Sequence, residues 1–228
     1  MKKLFTSLLD LLYPNLCVIC NESLVRGEEM ICFHCLHQMP KTNYHLEKDN
    51  AVEKRFWGKV PVYRATSYFH FYKGSPFRQL LHELKYRGNK EIGRVMGRFA
   101  GIDLLDTDDF ASIDVIVPVP LHPKKQLKRG YNQSEWIARG LSEALNKPVD
   151  TTHLIRTKEN ATQTKKSVFE RYQNTQGIFA LNDVTVFEKK HILLVDDVLT
   201  TGSTLEACAL ALMESSFVKI SVFTLALA

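Results

Sequence analysis

The segment Ile192-Leu193-Leu194-Val195-Asp196-Asp197-Val198-Leu199-Thr200-Thr201-Gly202-Ser203-Thr204 constrains the fold of this chain more than any other stretch. Its apolar opening predicts a buried strand over 191–195, of the kind found in parallel sheets. Two adjacent carboxylates, Asp196 and Asp197, stand at the end of that strand. A loop of threonine, glycine and serine follows, and the run from Leu205 to Leu212 predicts a helix over 203–215. Open α/β sheets bind ligands at the carboxyl ends of their strands. A small-residue loop entering a helix presents several backbone N–H groups and about half a positive charge. Gly202 lets the backbone approach a ligand closely. The hydroxyls of Thr200, Thr201, Ser203 and Thr204 add donors, so the loop suits a phosphate monoester. Ionised carboxylates only accept hydrogen bonds, so Asp196 and Asp197 suit vicinal hydroxyls or a hydrated Mg2+. Phosphate and diol side by side describe a ribose 5-phosphate.

Three plainer readings compete. A receiver domain also ends its first strand in paired aspartates, but residues 198–228 are too few to complete one. A Walker-type loop needs Gly-x-x-x-x-Gly-Lys, which the chain lacks. A solvated turn with chance acids is the third.

Elsewhere the pattern alternates between strand and helix. Tyr63, Ala65, Ser67, Phe69 and Phe71 predict a strand over 61–72, and Ser75-Pro76 starts a helix carrying Phe77, Leu80, Leu81 and Leu84. A second helix carries Ile92, Val95, Met96, Phe99 and Ala100. Asp114 to Val117 form a short strand, which Pro118, Pro120 and Pro123 keep from continuing as a helix or central strand. Asn132 and Glu135 have the spacing of a capping box before a helix with Trp136, Ile137, Leu141, Ala144 and Leu145. A last strand is expected over 218–227. This order argues an α/β domain with a mainly parallel sheet.

Four of the five cysteines form two C-x-x-C pairs, Cys17/Cys20 and Cys32/Cys35. Two intervening residues let both sulfurs of a pair face one tetrahedral cation at about 2.3 Å. Asn21 follows the first pair, where a left-handed residue is needed and Asn tolerates it. A redox dithiol would stand alone after a strand, so structural Zn2+ is the expectation, closed by four thiolates and chemically inert. So small a module builds little core, and the metal substitutes for one. The expected organisation is a helix and four-cysteine finger over 1–45, a connector over 46–60 and the α/β domain over 61–228.

Leucines at 4, 8, 9, 11 and 12 recur at helical spacing around Asp10 without a small-residue cleavage site. They predict an amphipathic helix docked on the protein, with membrane-surface contact as the alternative. No apolar run reaches the ~18 residues of a spanning helix, and a cytoplasmic location is expected. The net charge of +5 suits an anionic ligand but falls short of a dedicated nucleic-acid binder.

The 192–204 segment resembles the PRPP-binding signature of type I phosphoribosyltransferases. The remainder is similar to one branch of that superfamily, the ComF family of competence proteins, which includes the GntX-like proteins. Leu12-Tyr13-Pro14 before Cys17, Lys85-Tyr86-Arg87-Gly88, Val117 to His122, Arg129-Gly130-Tyr131-Asn132-Gln133, Gln163 and Arg171 carry that resemblance. Asn21 departs from it, because such fingers often have glycine there. The resemblance implies that Asp196 and Asp197 hold the ribose 2′- and 3′-hydroxyls and that Thr200 to Thr204 wrap the 5-phosphate. It also implies that Val117 to Pro120 form the pyrophosphate loop, with Val119, Pro120, Lys128 and Arg129 binding PRPP and Mg2+ bridging the remaining charge. Lys124, Lys125, Lys128 and Arg129 then lie beside a polyanion, the alternative being a solvated basic turn. Residues 156–177 resemble the mobile lid of these enzymes, with Lys165 and Arg171 as charge contacts. Three functions follow as expectations. One is phosphoribosyl transfer to an unknown acceptor, with Asp196, Asp197 and Arg171 catalytic. Another is a PRPP-binding accessory in natural transformation that meets single-stranded DNA or DNA-uptake proteins. The weakest is a zinc module docked on membrane machinery. Tyr86, Phe69 and Tyr131 could stack on a base, though each suits core or rim better.

Overall fold

The computed structural model describes residues 14–157 and 178–228. The leucine-rich N-terminal segment expected to be a helix and most of the expected lid, including Gln163, Lys165 and Arg171, lie outside the described residues. The elements run α1 (Phe33–His37), β1 (Arg64–His70), α2 (Arg78–Tyr86), α3 (Glu91–Leu104), α4 (Asp108–Ala111), β2 (Val115–Pro118), α5 (Pro123–Arg129) and α6 (Gln133–Leu145). They continue with β3 (Leu154–Arg156), β4 (Phe179–Leu181), β5 (His191–Leu199), α7 (Ser203–Leu212) and β6 (Lys219–Leu227).

β1, β6, β5 and β2 hydrogen-bond in that order, every pair parallel, with Leu193 opposite Ser221 and Ile116, and Leu194 opposite Val222 and Val117. The expected parallel sheet is therefore present. β5 and β6 lie inside it and are apolar on both faces because helices or connecting chain cover each face. Successive side chains of a strand point to opposite faces. Leu193 and Val195 of β5 pack with Phe223, Leu84, Met96, Ile137 and Leu141 beneath α2, α3 and α6. Ile192 and Leu194 pack with Ile220, Val222, Val52, Phe56, Leu205 and Leu212 beneath the connector and α7. β2 is an edge strand, a place in a sheet where Pro118 costs no ladder bond. The outer edge of β1 is covered by residues 40–42, with His70 N–H donating to Pro40 O at 2.9 Å and Thr42 N–H to Tyr68 O at 3.0 Å.

Several sequence expectations change on folding. β5 does not stop before the acids but runs through them to Leu199, because β6 keeps pairing as far as Leu227. Pro123 opens a helix, α5, at the N-terminal position where its missing N–H costs nothing, and His122 Nδ1 accepts from Lys124 N–H at 3.1 Å. The basic run is thus helical, closed by Gly130 at φ 83°. The capping box before α6 forms by half. Asn132 accepts from Ser134 N–H at 3.1 Å, but Glu135 pairs with Arg139 at 2.6 Å instead of returning to the cap. α3 and α6 approach closely because glycines face the crossing. A Cβ on Gly97 would lie 2.2 Å from Ile137 O, and one on Gly140 would lie 1.9 Å from Arg94 O. This crossing fixes the N-terminus of α6 above the carboxyl end of the sheet. Among the described residues, no helix is long and apolar enough to cross a membrane.

Candidate functional site

Strand alternation separates the two acids. Asp197 continues the Leu193/Val195 side and meets α2 and α6, where its Oδ2 accepts from Gln133 Nε2 at 2.8 Å and pairs with Lys85 Nζ at 3.1 Å. Asp197 is 6% exposed. Asp196 continues the Ile192/Leu194 side and lines a cavity of about 30 Å3 with Val198, Leu199 and residues 200–205. Its Oδ1 accepts from Ser134 Oγ at 2.9 Å and from Asp197 N–H at 2.8 Å. Among the described residues, no donor reaches Oδ2 of Asp196 or Oδ1 of Asp197, so each acid keeps one acceptor oxygen for a ligand. Burial pushes Asp196 up to about 7, and the neighbouring Asp197 charge adds to that.

The loop after β5 is a tight turn into α7. Gly202 adopts φ 85° immediately before α7, a left-handed conformation that a side chain would strain. Thr200, Thr201, Ser203 and Thr204 are exposed around it, and the Thr201 and Ser203 hydroxyls lie 3.0 Å apart. Phe56 of the connector supports the loop from below, 3.7 Å from where a Gly202 Cβ would lie. Lys59 of the same connector reaches Glu206 on the first turn of α7 at 3.7 Å.

At the β2 end the backbone N–H groups are mostly committed or absent. Val119 N–H donates to Val195 O at 2.8 Å, and Pro118 and Pro120 have no N–H. The first amide beyond β2 without a protein partner among the described residues is therefore that of Leu121. Asn132 Nδ2 clamps Val119 O at 3.0 Å, which fixes the loop against α6. Arg129 donates to Gln133 Oε1 and so joins the acid network through one intermediary. Lys128 is exposed on α5. Phe69 and Tyr131 are core residues, and the Tyr131 hydroxyl donates to Leu84 O. Tyr86 is 72% exposed.

Gln133, Ser134, Asn132 and Phe56 are site residues that sequence reasoning did not assign. Gln133 and Asn132 stand in the motif Arg129 to Gln133, and Lys85 opens another motif, but nothing local tells that these segments converge on the acids.

Cys17, Cys20, Cys32 and Cys35 gather with their sulfurs within 4.8 Å of one another, a group that could hold a metal ion. Sulfurs about 2.3 Å from a tetrahedral ion lie about 3.8 Å apart, and Cys20 and Cys32 are separated by 3.7 Å. Asn21 takes the left-handed turn at φ 60°. Burial raises Cys17, but N–H groups of Cys20, Cys32 and Ile19 outweigh it and lower the thiol to about 7. Burial and its sulfur neighbours raise Cys35. The module is not a separate bead, because Cys17, Ile31, Cys32, Cys35 and Met39 belong to the same core as α2 and α3. Where it meets α2, an open cleft of about 600 Å3 is lined by Val18, Ile19, Asn21, Arg78, His82 and Arg87 among others.

A family model described as the phosphoribosyl transferase domain matches residues 102–226. The DNA utilization protein YhgH of Escherichia coli (strain K12) is 29% identical over 227 residues, covering 93% of this chain and 96% of the relative. Competence protein F of Haemophilus influenzae is 32% identical over 155 residues, covering 66% of this chain and 68% of the relative. A solved structure of an allosteric regulatory enzyme of purine biosynthesis aligns with TM-score 0.40 and 18% identity, covering 62% of this chain and 29% of that one. With the domain model spanning over half its length and a competence protein F among its relatives, this chain belongs to the phosphoribosyltransferase-domain proteins of the ComF family.

Proposed function

We propose that this protein binds PRPP across the carboxyl end of its sheet. The observation that carries the reading is the division of the acids. Asp196 Oδ2 and Asp197 Oδ1 stand ready for two sugar hydroxyls, while the 200–204 loop, seated on Gly202 and Phe56, faces the 5-phosphate. The pyrophosphate lies toward β2 and the Leu121 amide, within reach of the positive field of α5. Mg2+ would arrive with the pyrophosphate and bridge its remaining charge, beside Glu135, which lines the pocket at that end with Pro118, Pro120 and Leu121. Lys165 and Arg171 are assigned to charge contacts from the 156–177 segment. The four thiols hold Zn2+ as a structural ion, since four sulfurs leave no open coordination position. Transfer of the phosphoribosyl group to an acceptor nitrogen, with loss of pyrophosphate, is the reaction such a site supports, mainly by positioning and electrostatics.

Calorimetric titration with PRPP and Mg2+ tests the binding. Wild-type protein should bind, and Asp196→Asn should weaken binding by about tenfold or more. Equal affinity in the two proteins removes the assignment. Pyrophosphate release in the presence of purines, pyrimidines and amines then separates an enzyme from a PRPP-binding accessory.

A second reading, contact with single-stranded nucleic acid, is supported by the cleft between the cysteine module and α2. Arg78 and Arg87 line it, and neither has an ion-pair partner among the described residues. The names of the relatives, DNA utilization protein and competence protein F, agree with such a partner. Oligonucleotide affinity that falls with salt and with Arg78→Ala supports it, and salt-independent binding refutes it.

A further inference from the structure

The phosphoribosyl reading gives Lys85 no role, yet Lys85 is the sole cation in direct contact with the acid pair among the described residues. It sits in the last turn of α2 with its side chain 24% exposed, 3.1 Å from Asp197 Oδ2. Its place is fixed. The preceding residue, Leu84, is fully buried, and its carbonyl is held by the Tyr131 hydroxyl. Gln133 Nε2 shares the same carboxylate oxygen from the opposite helix, and Arg129 orients Gln133 in turn. Among the described residues, the remaining hydrogen-bond donors to the pair are Ser134 Oγ and the Asp197 amide, both on Asp196.

Two adjacent carboxylates with free oxygens at a sheet end attract divalent cations, which prefer clustered oxygen ligands. A diol needs something else from the same atoms. It needs acceptor oxygens held in fixed directions and not already occupied by metal. One cation bonded to the inner acid satisfies both needs, because it cancels part of the charge that would capture a metal and anchors the carboxylate plane.

We infer that Lys85 determines the specificity of this site, keeping the acid pair open to the vicinal hydroxyls of a pentose phosphate and closed to a free divalent cation. The metal half of this inference stands on the geometry alone, and the sugar half rests on the phosphoribosyl reading above. Lys85 acts through Asp197 and is a positioning residue.

The test uses the full chain and two probes. Mn2+ alone, followed by the loss of its free-ion paramagnetic resonance signal, reports metal capture, and the thiol cluster does not compete for so hard an ion. Ribose 5-phosphate alone, titrated by calorimetry, reports diol binding. Lys85→Gln keeps a donor toward Asp197 and removes the charge. It should bind Mn2+ about tenfold more tightly than wild type and ribose 5-phosphate about tenfold more weakly. Lys85→Arg should keep both affinities within about threefold of wild type. Adding Asp197→Asn to Lys85→Gln should abolish the gained Mn2+ binding and, by removing the uncompensated charge, keep the chain folded if the single variant is not. Unchanged Mn2+ affinity in a folded Lys85→Gln protein overturns the inference whatever the sugar does. A gain in Mn2+ affinity in a protein whose wild type ignores ribose 5-phosphate and PRPP leaves the guard in place and removes the phosphoribosyl reading instead. A loss of ribose 5-phosphate affinity equal in Lys85→Arg and Lys85→Gln assigns Lys85 to packing and overturns the inference.

Discussion

Gly140→Ala is a severe test of the architecture that positions the site. On helix propensity alone the substitution stabilises, since alanine exceeds glycine by about 1 kcal/mol inside a helix. The structure reverses that sign. The new Cβ would lie 1.9 Å from Arg94 O and 2.7 Å from Arg98 N, where ordinary contact begins at 3.4 Å. The obstructing atoms are backbone of α3 and cannot rotate aside, so α3 and α6 must separate by about 1.5 Å at the crossing. Overpacking of this kind costs about 1–3 kcal/mol. Because the obstruction is backbone, the net expectation is a loss of about 2 kcal/mol, or about 4–8 °C in Tm for a chain of this size. Thermal and urea unfolding measure it. The separation also displaces the α6 N-terminus, so Gln133 and Ser134 leave their 2.8 and 2.9 Å contacts with Asp197 and Asp196. PRPP affinity should fall with stability. A variant at least as stable as wild type refutes the close crossing and, with it, the placement of Gln133 and Ser134.

Two further outcomes follow from the metal module and from a buried histidine. Elemental analysis should find about one zinc per chain, and stripping it with a chelator should lower Tm by at least about 5 °C, because three of its ligands lie in the main core; no change in Tm would make the cluster dispensable. Burial, aided by the Lys219 charge, lowers His191 to about 4, so the folded protein holds it neutral between the Ser112 and Ser221 hydroxyls. A depressed histidine contributes stability above pH 6.5 that is lost as pH falls toward 4, at most about 3 kcal/mol. Asp196 acts in the opposite sense over much of that range, since its raised carboxyl favours folding while protonated. The difference between wild type and His191→Gln therefore isolates the histidine, and parallel stability curves for the two proteins across pH 4–6.5 would exclude it.

Local sequence carried the elements whose cause is local. The apolar run 192–195 had to be a buried parallel strand, and Gly202 beside four hydroxyl residues had to be a tight bend. The C-x-x-C pairs, with Asn21 at φ 60°, marked the four sulfurs that gather in the fold. The strand end was misplaced because pairing with β6, and not the residues of β5, decides where β5 stops. The Val119 N–H is spent on Val195 O, a bond visible only once β2 lies beside β5.

The acid pair marks the boundary most sharply. Its residues, its position after a strand and its preference for hydroxyl donors were legible from the chain alone. What distinguishes Asp196 from Asp197 was not. A period of two sends the first toward the loop cavity and the second toward Lys85 and Gln133, whose helices reach it only because glycines let α6 settle onto α3. Covalent neighbours fix a residue's chemistry and local conformation, but its charge partners come from distant segments. Only packing brings those segments together.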